Sequence, residues 1–290
     1  MGSGSREDWR RSGRLRLVPG VYDAFSAKAA AEAGHELLYY GSFAAQAALF
    51  ATVDARYITL TEMVEGVRRI VEAVPVPLLV DLENGFGGPL QVQRTVRAME
   101  AAGAVGGHLE DHEFGKHTRL PTVLVPAEAM VDKILAAREA RRSPDFVLIA
   151  RTDALGRYGR AEAIRRLVAY EAAGADMVFM AGAGTEDLRE LGRAVSVPIV
   201  NTDLYGNAAF DPVAWEAAGV RLVLAFGTAL GAVLPVLRRL YAMMRAGRLP
   251  DEGPAALAEV ERFLGYPAYE AWAARWLRRQ GGEPGPGAAG

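Results

Sequence analysis

Eight short apolar runs, each followed by a stretch of helical period, alternate along the chain, and this alternation is what most restricts the fold. The runs lie at 15–18, 36–41, 77–83, 105–110, 146–151, 177–181, 197–202 and 221–226. Between and after them the spacing predicts helices over 23–33, 59–73, 89–102, 126–141, 160–173, 185–194, 211–218 and 228–246. Gly34, Gly103, Gly174 and Gly219 each follow an alanine at a predicted helix end, where a left-handed residue closes the last turn. Val76-Pro77 and Val197-Pro198 suit entry into extended segments. Eight βα units in this length predict the α/β class and a (β/α)8 TIM barrel. A doubly wound sheet shows the same alternation, because strand order is not written in a sequence.

The organisation expected is a flexible N-terminus over 1–14, a barrel over 15–250, a helical extension over 251–280 and a disordered Gly/Pro-rich tail over 281–290. The extension carries Trp272 and Trp276 on one helix face, an apolar side that a neighbouring subunit would cover. Lys plus Arg number 33 against 35 Asp plus Glu, so there is no basic excess for a nucleic-acid surface. No apolar run reaches the roughly 18 residues of a membrane span, and the N-terminal residues lack the apolar stretch of a secretory signal. A cytoplasmic location is expected. The chain has no cysteine, which excludes disulfides, Cys-ligated metals and a cysteine nucleophile or acid.

In a barrel the chemistry sits at the carboxyl ends of the strands. That places Tyr40-Gly41-Ser42-Phe43 after the second run, Asp81-Leu82-Glu83 at the third and Glu110 at the fourth. It also places Arg151 at the fifth and Asn201 at the seventh. Asp81 and Glu83 are two apart and expected to point the same way, with Glu110 on the adjacent strand. Three converging carboxylates repel unless a cation lies among them, and oxygen donors favour Mg²⁺ or Mn²⁺. The plain alternative is that these acids pair with nearby arginines. Arg151 is expected in the same mouth, gripping a substrate carboxylate; a salt bridge to Glu110 or Asp153 is its ordinary alternative. His108 is read as a core histidine, and His35 falls at the opposite end of the barrel. The polar loop 112–125, with Lys116, His117, Thr118 and Arg119, is either a lid over substrate or a solvated loop.

Several strings, taken in order, resemble the isocitrate lyase/phosphoenolpyruvate mutase superfamily over about residues 15–250. They include PGVYDAFSAKAAAEAG (19–34), YYGSFAAQA (39–47), VDARYITLTEM (53–63) and PVPLLVDLENGFG (75–87). GHLED (107–111), VPAEAMVDKILAA (125–137), DFVLIARTDA (145–154) and YEAAGADMVFM (170–180) follow. The resemblance implies a Mg²⁺-dependent barrel enzyme, a homo-oligomer (dimer or tetramer), that makes or breaks C–C or P–C bonds beside a 2-oxo or 2-hydroxy carboxylate. It implies Asp81 as principal metal ligand, with Glu83, Glu110 and Asp54 around the metal. Tyr40, Ser42, Phe43, Asp81, Arg151 and Asn201 would bind substrate, and Lys116 would belong to a gating loop.

Departures from the family pattern matter. Lys116-His117-Thr118-Arg119 stands where the lyases carry a catalytic cysteine, Ala181 where a Glu or His is usual, and Glu83 where Asp is usual. The proton-transfer candidates are then His117, Lys116 and Tyr40, with Thr118 at a position typical of phosphonopyruvate enzymes. The resulting expectation is a Mg²⁺-dependent C–C lyase acting on a small carboxylate through a stabilised enolate. Phosphonopyruvate mutase or hydrolase chemistry is the alternative, and a non-catalytic carboxylate-binding barrel a third.

Overall fold

A computed structural model describes residues 13–114, 120–202, 210–249 and 256–279. The chain divides into two compact units, residues 1–234 and 235–290.

In the first unit, eight parallel strands close into a barrel: β1 (Arg16–Val21), β2 (Leu38–Tyr40), β3 (Leu78–Asp81), β4 (Gly106–Glu110), β7 (Val147–Thr152), β8 (Met177–Met180), β9 (Ile199–Thr202) and β10 (Val220–Ala225). The ring order β1-β2-β3-β4-β7-β8-β9-β10 is sequential and closes by pairing β1 with β10, so the barrel expectation holds and the doubly wound sheet falls. The remaining strands, β5 (His112–Phe114) and β6 (Val123–Leu124), form an antiparallel pair at the two ends of the long loop after β4.

The helices α1 (Ala24–Glu32), α3 (Leu60–Ala73), α4 (Pro89–Ala101), α5 (Ala127–Ala140), α6 (Leu155–Ala172), α7 (Thr185–Ala194) and α8 (Pro212–Ala217) lie where the spacing predicts, apart from α2 (Ser42–Phe50), which follows β2 directly. This extra helix turns Ser42 and Phe43 from a strand end into the first turn of a helix. Gly34, Gly103, Gly174 and Gly219 all take positive φ just past their helices, as a C-terminal cap requires.

Side-chain parity sorts the strands into two apolar layers. Val18, Tyr39, Leu79, Ile149, Phe179, Val200, Leu222 and Leu224 fill the barrel interior. Their neighbours Leu38, Tyr40, Leu78, Val80, Leu148 and Val178 face the surrounding helices. Each fully buried side chain of this kind contributes about 1.5–3 kcal/mol. The interior is thus a packed floor beneath the carboxyl ends of the strands.

The boundary between the units falls within α9 (Thr228–Arg245), which contains Pro235. In the second unit α10 (Leu257–Leu264) and α11 (Tyr266–Arg279) meet at Gly265, whose φ is 95°. Along α11 the rings of Tyr269, Trp272 and Trp276 form a continuous aromatic row, with centroids 6.0 and 6.3 Å apart. Among the described residues no helix is long and apolar enough to cross a membrane.

Candidate active site

Three buried side chains from adjacent strands converge at the carboxyl end of the barrel: Asp81 from β3 and His108 and Glu110 from β4. Each offers one donor atom, and these atoms lie within 4.8 Å of one another. Their register places them together, since Asp81 pairs with His108 across the β3–β4 ladder and Glu110 stands two residues further on. Nδ1 of His108 is 3.6 Å from Asp81 Oδ1, while Nε2 shares a 2.7 Å hydrogen bond with the Tyr39 hydroxyl. The place of His108 in the sequence reads as that of a core histidine, and the structure adds it to the carboxylate group. The signal that could have found it was its parity with Glu110, the same two-residue rule used for Asp81 and Glu83.

Glu83 departs from that rule. β3 ends at Asp81, and Glu83 takes a φ of 52°, so the strand periodicity no longer governs it. Its N–H donates to Asp81 Oδ1 at 2.7 Å, and its carboxylate lies 4.0 Å from Nε of Arg56. The group brought together is Asp81, His108 and Glu110; Glu83 is buried beside Arg56. Arg56 also takes positive φ, and its Nη2 donates to the carbonyl of His112 at the start of β5.

On the β2 side, Ser42 Oγ donates to Asp81 Oδ2 at 2.8 Å, with the Ser42 N–H 3.4 Å from the same oxygen. Ser42 and Phe43 open α2, where N–H groups have no acceptor within the helix and negative charge is favoured. Asp54 joins through Gln46, whose Nε2 donates to Asp54 Oδ1 at 2.7 Å; Ser42 Oγ is 3.5 Å from that oxygen. Gln46 in turn accepts from the Tyr57 N–H at 2.9 Å, which fixes the loop carrying Asp54 and Arg56.

Arg151 reaches the mouth, in contact with acids of its own chain. Nε and Nη2 donate to the two oxygens of Asp153 at 2.9 and 2.8 Å, and Nη1 lies 3.3 Å from Glu110 Oε2. Burial alone would lower the guanidinium's pKa, but Asp153, Glu110 and Asp81 together hold it well above the usual value. The salt-bridge alternative is thus the arrangement present: one edge of the fork is held by Asp153, and the plane rests over the Phe179 ring at 5.0 Å.

Two expected substrate residues lie elsewhere. Tyr40 points outward between β2 and α3, and its adjacent residue Tyr39 takes the interior position. Burial raises the Tyr40 pKa to about 12. Asn201 shares the outward parity of Ile199, and its Nδ2 donates to the carbonyl of Ala183 at 3.2 Å, holding the turn after β8. Strand alternation moved both from the mouth. Lys116, His117, Thr118 and Arg119 lie outside the described residues.

Behind the site, Asp111 organises the strand ends. Its Oδ2 accepts from Thr152 Oγ1, Tyr170 Oη and Arg166 Nη1 at 2.6, 2.8 and 3.0 Å, and its N–H donates to the Arg151 carbonyl. Lys133, buried on α5, donates to the Asn84 carbonyl at 2.9 Å; burial and nearby Arg56 lower its pKa. Neither role was visible in the sequence, because both partners come from distant elements.

A family model described as phosphoenolpyruvate phosphomutase matches residues 7–245. The chain belongs to the phosphoenolpyruvate mutase/isocitrate lyase superfamily. The oxaloacetate decarboxylase of Rhodopseudomonas palustris (strain HaA2) is 34% identical over 84% of this chain and 88% of its own. A solved structure of oxaloacetate acetylhydrolase with the inhibitor 3,3-difluorooxalacetate superposes with a TM-score of 0.85 at 26% identity, covering 96% of this chain and 97% of that one. A phosphonopyruvate hydrolase complex with oxalate and Mg²⁺ superposes with a TM-score of 0.83 at 30% identity, covering 93% and 97%. Membership in this superfamily makes the chain an enzyme of its lyase and mutase type. Asp81, His108 and Glu110 form a buried group that could hold a metal ion.

Proposed function

We propose that the protein is a divalent-metal-dependent carbon–carbon lyase acting on a small 2-oxo or 2-hydroxy carboxylate, with oxaloacetate-like dicarboxylates as its substrate class. The observation that carries this reading is the Asp81–His108–Glu110 group at the barrel mouth, joined to the N-terminus of α2 through Ser42.

The donor set fits Mg²⁺ or Mn²⁺. Two carboxylates supply hard oxygen donors, and Mg²⁺ keeps several waters, so Glu83 and Asp54 would act at one remove. A bound divalent cation would polarise the 2-oxo oxygen and stabilise the enolate that C–C cleavage leaves. Support for this choice comes from the phosphonopyruvate hydrolase complex that holds Mg²⁺.

The chain's own groups would do the rest. Ser42 and Phe43, at the positive end of α2, would hold the substrate carboxylate through backbone N–H groups. Arg151 would orient the second acidic group with the edge not taken by Asp153. His108 is held in place by Tyr39 and steadies Asp81. The Tyr40 hydroxyl takes no part, since it faces α3. Proton transfer to the enolate carbon falls to His117 or Lys116 in this reading.

Phosphonopyruvate cleavage is the second reading. It is favoured by Thr118, by the absence of cysteine and by the likeness to phosphonopyruvate hydrolase. Assembly as a cytoplasmic dimer or tetramer through the α11 aromatic row is also proposed, and light scattering of the full chain reads it directly. The test of the catalytic reading is an Asp81→Ala variant, which should lose turnover and Mn²⁺ binding together. Full activity of that variant, or of the wild type in EDTA, would overturn it.

A further inference from the structure

The loop after β3, residues 82–88, joins the buried Asp81–His108–Glu110 group to two of the surrounding helices. Within it Glu83, Gly85, Phe86 and Gly87 all take positive φ, at 52°, 84°, 58° and 148°. Two of these are not glycine, and such backbone persists only where its surroundings over-determine it. Through its own backbone the loop bonds to every member of the group. The Glu83 N–H donates to Asp81 Oδ1 at 2.7 Å, and the Glu83 carbonyl accepts from the Glu110 N–H at 2.9 Å. The Leu82 N–H donates to the His108 carbonyl, also at 2.9 Å. Two buried side chains hold the same loop from the helices. Lys133 Nζ, on α5, donates to the Asn84 carbonyl at 2.9 Å, and Thr95 Oγ1, on α4, donates to the Gly85 carbonyl at 3.0 Å. The loop also packs closely on α4, since a methyl group on Gly85 would lie 2.2 Å from Val92 Cγ2.

We propose that Lys133 and Thr95 are positioning residues for the metal: by pinning the 82–88 loop to α5 and α4, they hold Asp81 and Glu110 where their donor atoms converge. The proposal deepens the metal-dependent reading and rests on it for the identity of the cation. Neither side chain belongs to the donor group; each acts through the loop backbone. Release of the Asn84 or Gly85 carbonyl lets the positive-φ turns relax, and Glu83 moves with them. Glu83 carries both the N–H that orients the Asp81 carboxylate and the carbonyl that anchors the Glu110 backbone. Orientation of this kind sets much of a metal site's affinity. Lys133 donates as a cation, and a charge-assisted hydrogen bond is roughly twice as strong as a neutral one, so its loss should cost more than that of Thr95. Lys133 also interacts with the charges of Glu110, Asp111 and Glu113. Through charge alone, removing it would tighten the binding of a cation beside Glu110. Weaker binding in its absence therefore reports the loop.

Metal binding to the full chain tests this without turnover. Mn²⁺ is titrated into wild type, Lys133→Met, Thr95→Val and Thr95→Ser, with free Mn²⁺ followed by electron paramagnetic resonance and folding by thermal unfolding. Lys133→Met should weaken Mn²⁺ binding by roughly 10-fold or more, and Thr95→Val by less. Thr95→Ser keeps the hydroxyl and should bind as the wild type does. If Lys133→Met does not fold, the contrast between Thr95→Val and Thr95→Ser carries the test. A folded Lys133→Met, or in its absence Thr95→Val, that binds Mn²⁺ as tightly as wild type or tighter overturns the proposal, whatever its unfolding midpoint. Failure of the metal reading looks different: the wild type itself binds no Mn²⁺, and the proposal falls with it.

Discussion

The hydroxyl of Tyr39 lies 2.7 Å from Nε2 of His108, both side chains buried at the floor of the mouth. The rings are also stacked, with centroids 5.7 Å apart. Removing the hydroxyl leaves a buried ring nitrogen without this partner, at a cost of about 1–3 kcal/mol. Tyr39→Phe should therefore lower the midpoint of thermal unfolding. It should also weaken Mn²⁺ binding about 10-fold or more, because groups that orient a metal's ligands carry much of its affinity. Tyr40→Phe, one residue along, should leave kcat/KM unchanged. Equal losses in the two variants would mean that the inward and outward roles are wrongly assigned.

Asp153 holds Arg151 by two hydrogen bonds along one edge of the guanidinium. Asp153→Ala should free the fork and raise KM for a dicarboxylate, lowering kcat/KM by about 10-fold or more, the usual cost of breaking a charged pair. Arg151→Lys should resemble Arg151→Ala, because an ammonium cannot serve Asp153 and substrate as a planar fork does. Steady-state kinetics on the three variants reads both effects; an unchanged KM in Asp153→Ala would remove Asp153 from this role.

Tyr40 and Gly66 are matched in shape. A methyl group on Gly66 of α3 would sit 2.2 Å from the Tyr40 oxygen and 2.6 Å from the ring carbon bearing it. The ring is buried and has little freedom to withdraw. Gly66→Ala should destabilise the barrel by about 1–3 kcal/mol, as overpacking does, with Tyr40→Phe restoring only part. Urea unfolding of the single and double variants measures this.

Glu162 on α6 binds Arg165 and Arg166, with contacts of 2.7 to 2.8 Å. The hydrogen bonds from Arg165, helped by the bond and charge of Arg166, lower its pKa to about 2 despite the opposing effect of burial. A depressed carboxylate pKa stabilises the fold above the unfolded value and loses that contribution as pH falls. Glu162→Gln should thus be less stable at pH 7 by no more than about 1 kcal/mol, since the side chains are partly solvated. The difference should shrink as pH falls from about 4.5 towards 2. Melting curves across that range check it, and a gap that widens in acid would contradict it.

The barrel was legible because eight apolar runs alternate with helical stretches, four of them closed by a glycine. Asp81 and Glu110 were legible because they end such runs. Three other assignments needed coordinates. Tyr39 and Tyr40 are identical neighbours, so only the register of β2 against β1 and β3 decides which one faces inward. Glu83 leaves the alternation because β3 ends at Asp81 and Glu83 itself takes positive φ. Helix α2 carried no signal in the apolar spacing, as its nine residues are nearly all small or apolar. The partners of Arg151 could be named from sequence, but their occupancy is a matter of distances.

The most direct test is product analysis on the wild-type enzyme with Mg²⁺. Oxaloacetate, its 3-alkyl analogues and phosphonopyruvate are supplied separately, with 2-oxo acid release and ³¹P spectra followed over time. Metal-dependent C–C cleavage of the dicarboxylates, abolished by EDTA and by Asp81→Ala, is the expected result. Cleavage of phosphonopyruvate with no turnover of any dicarboxylate would contradict it.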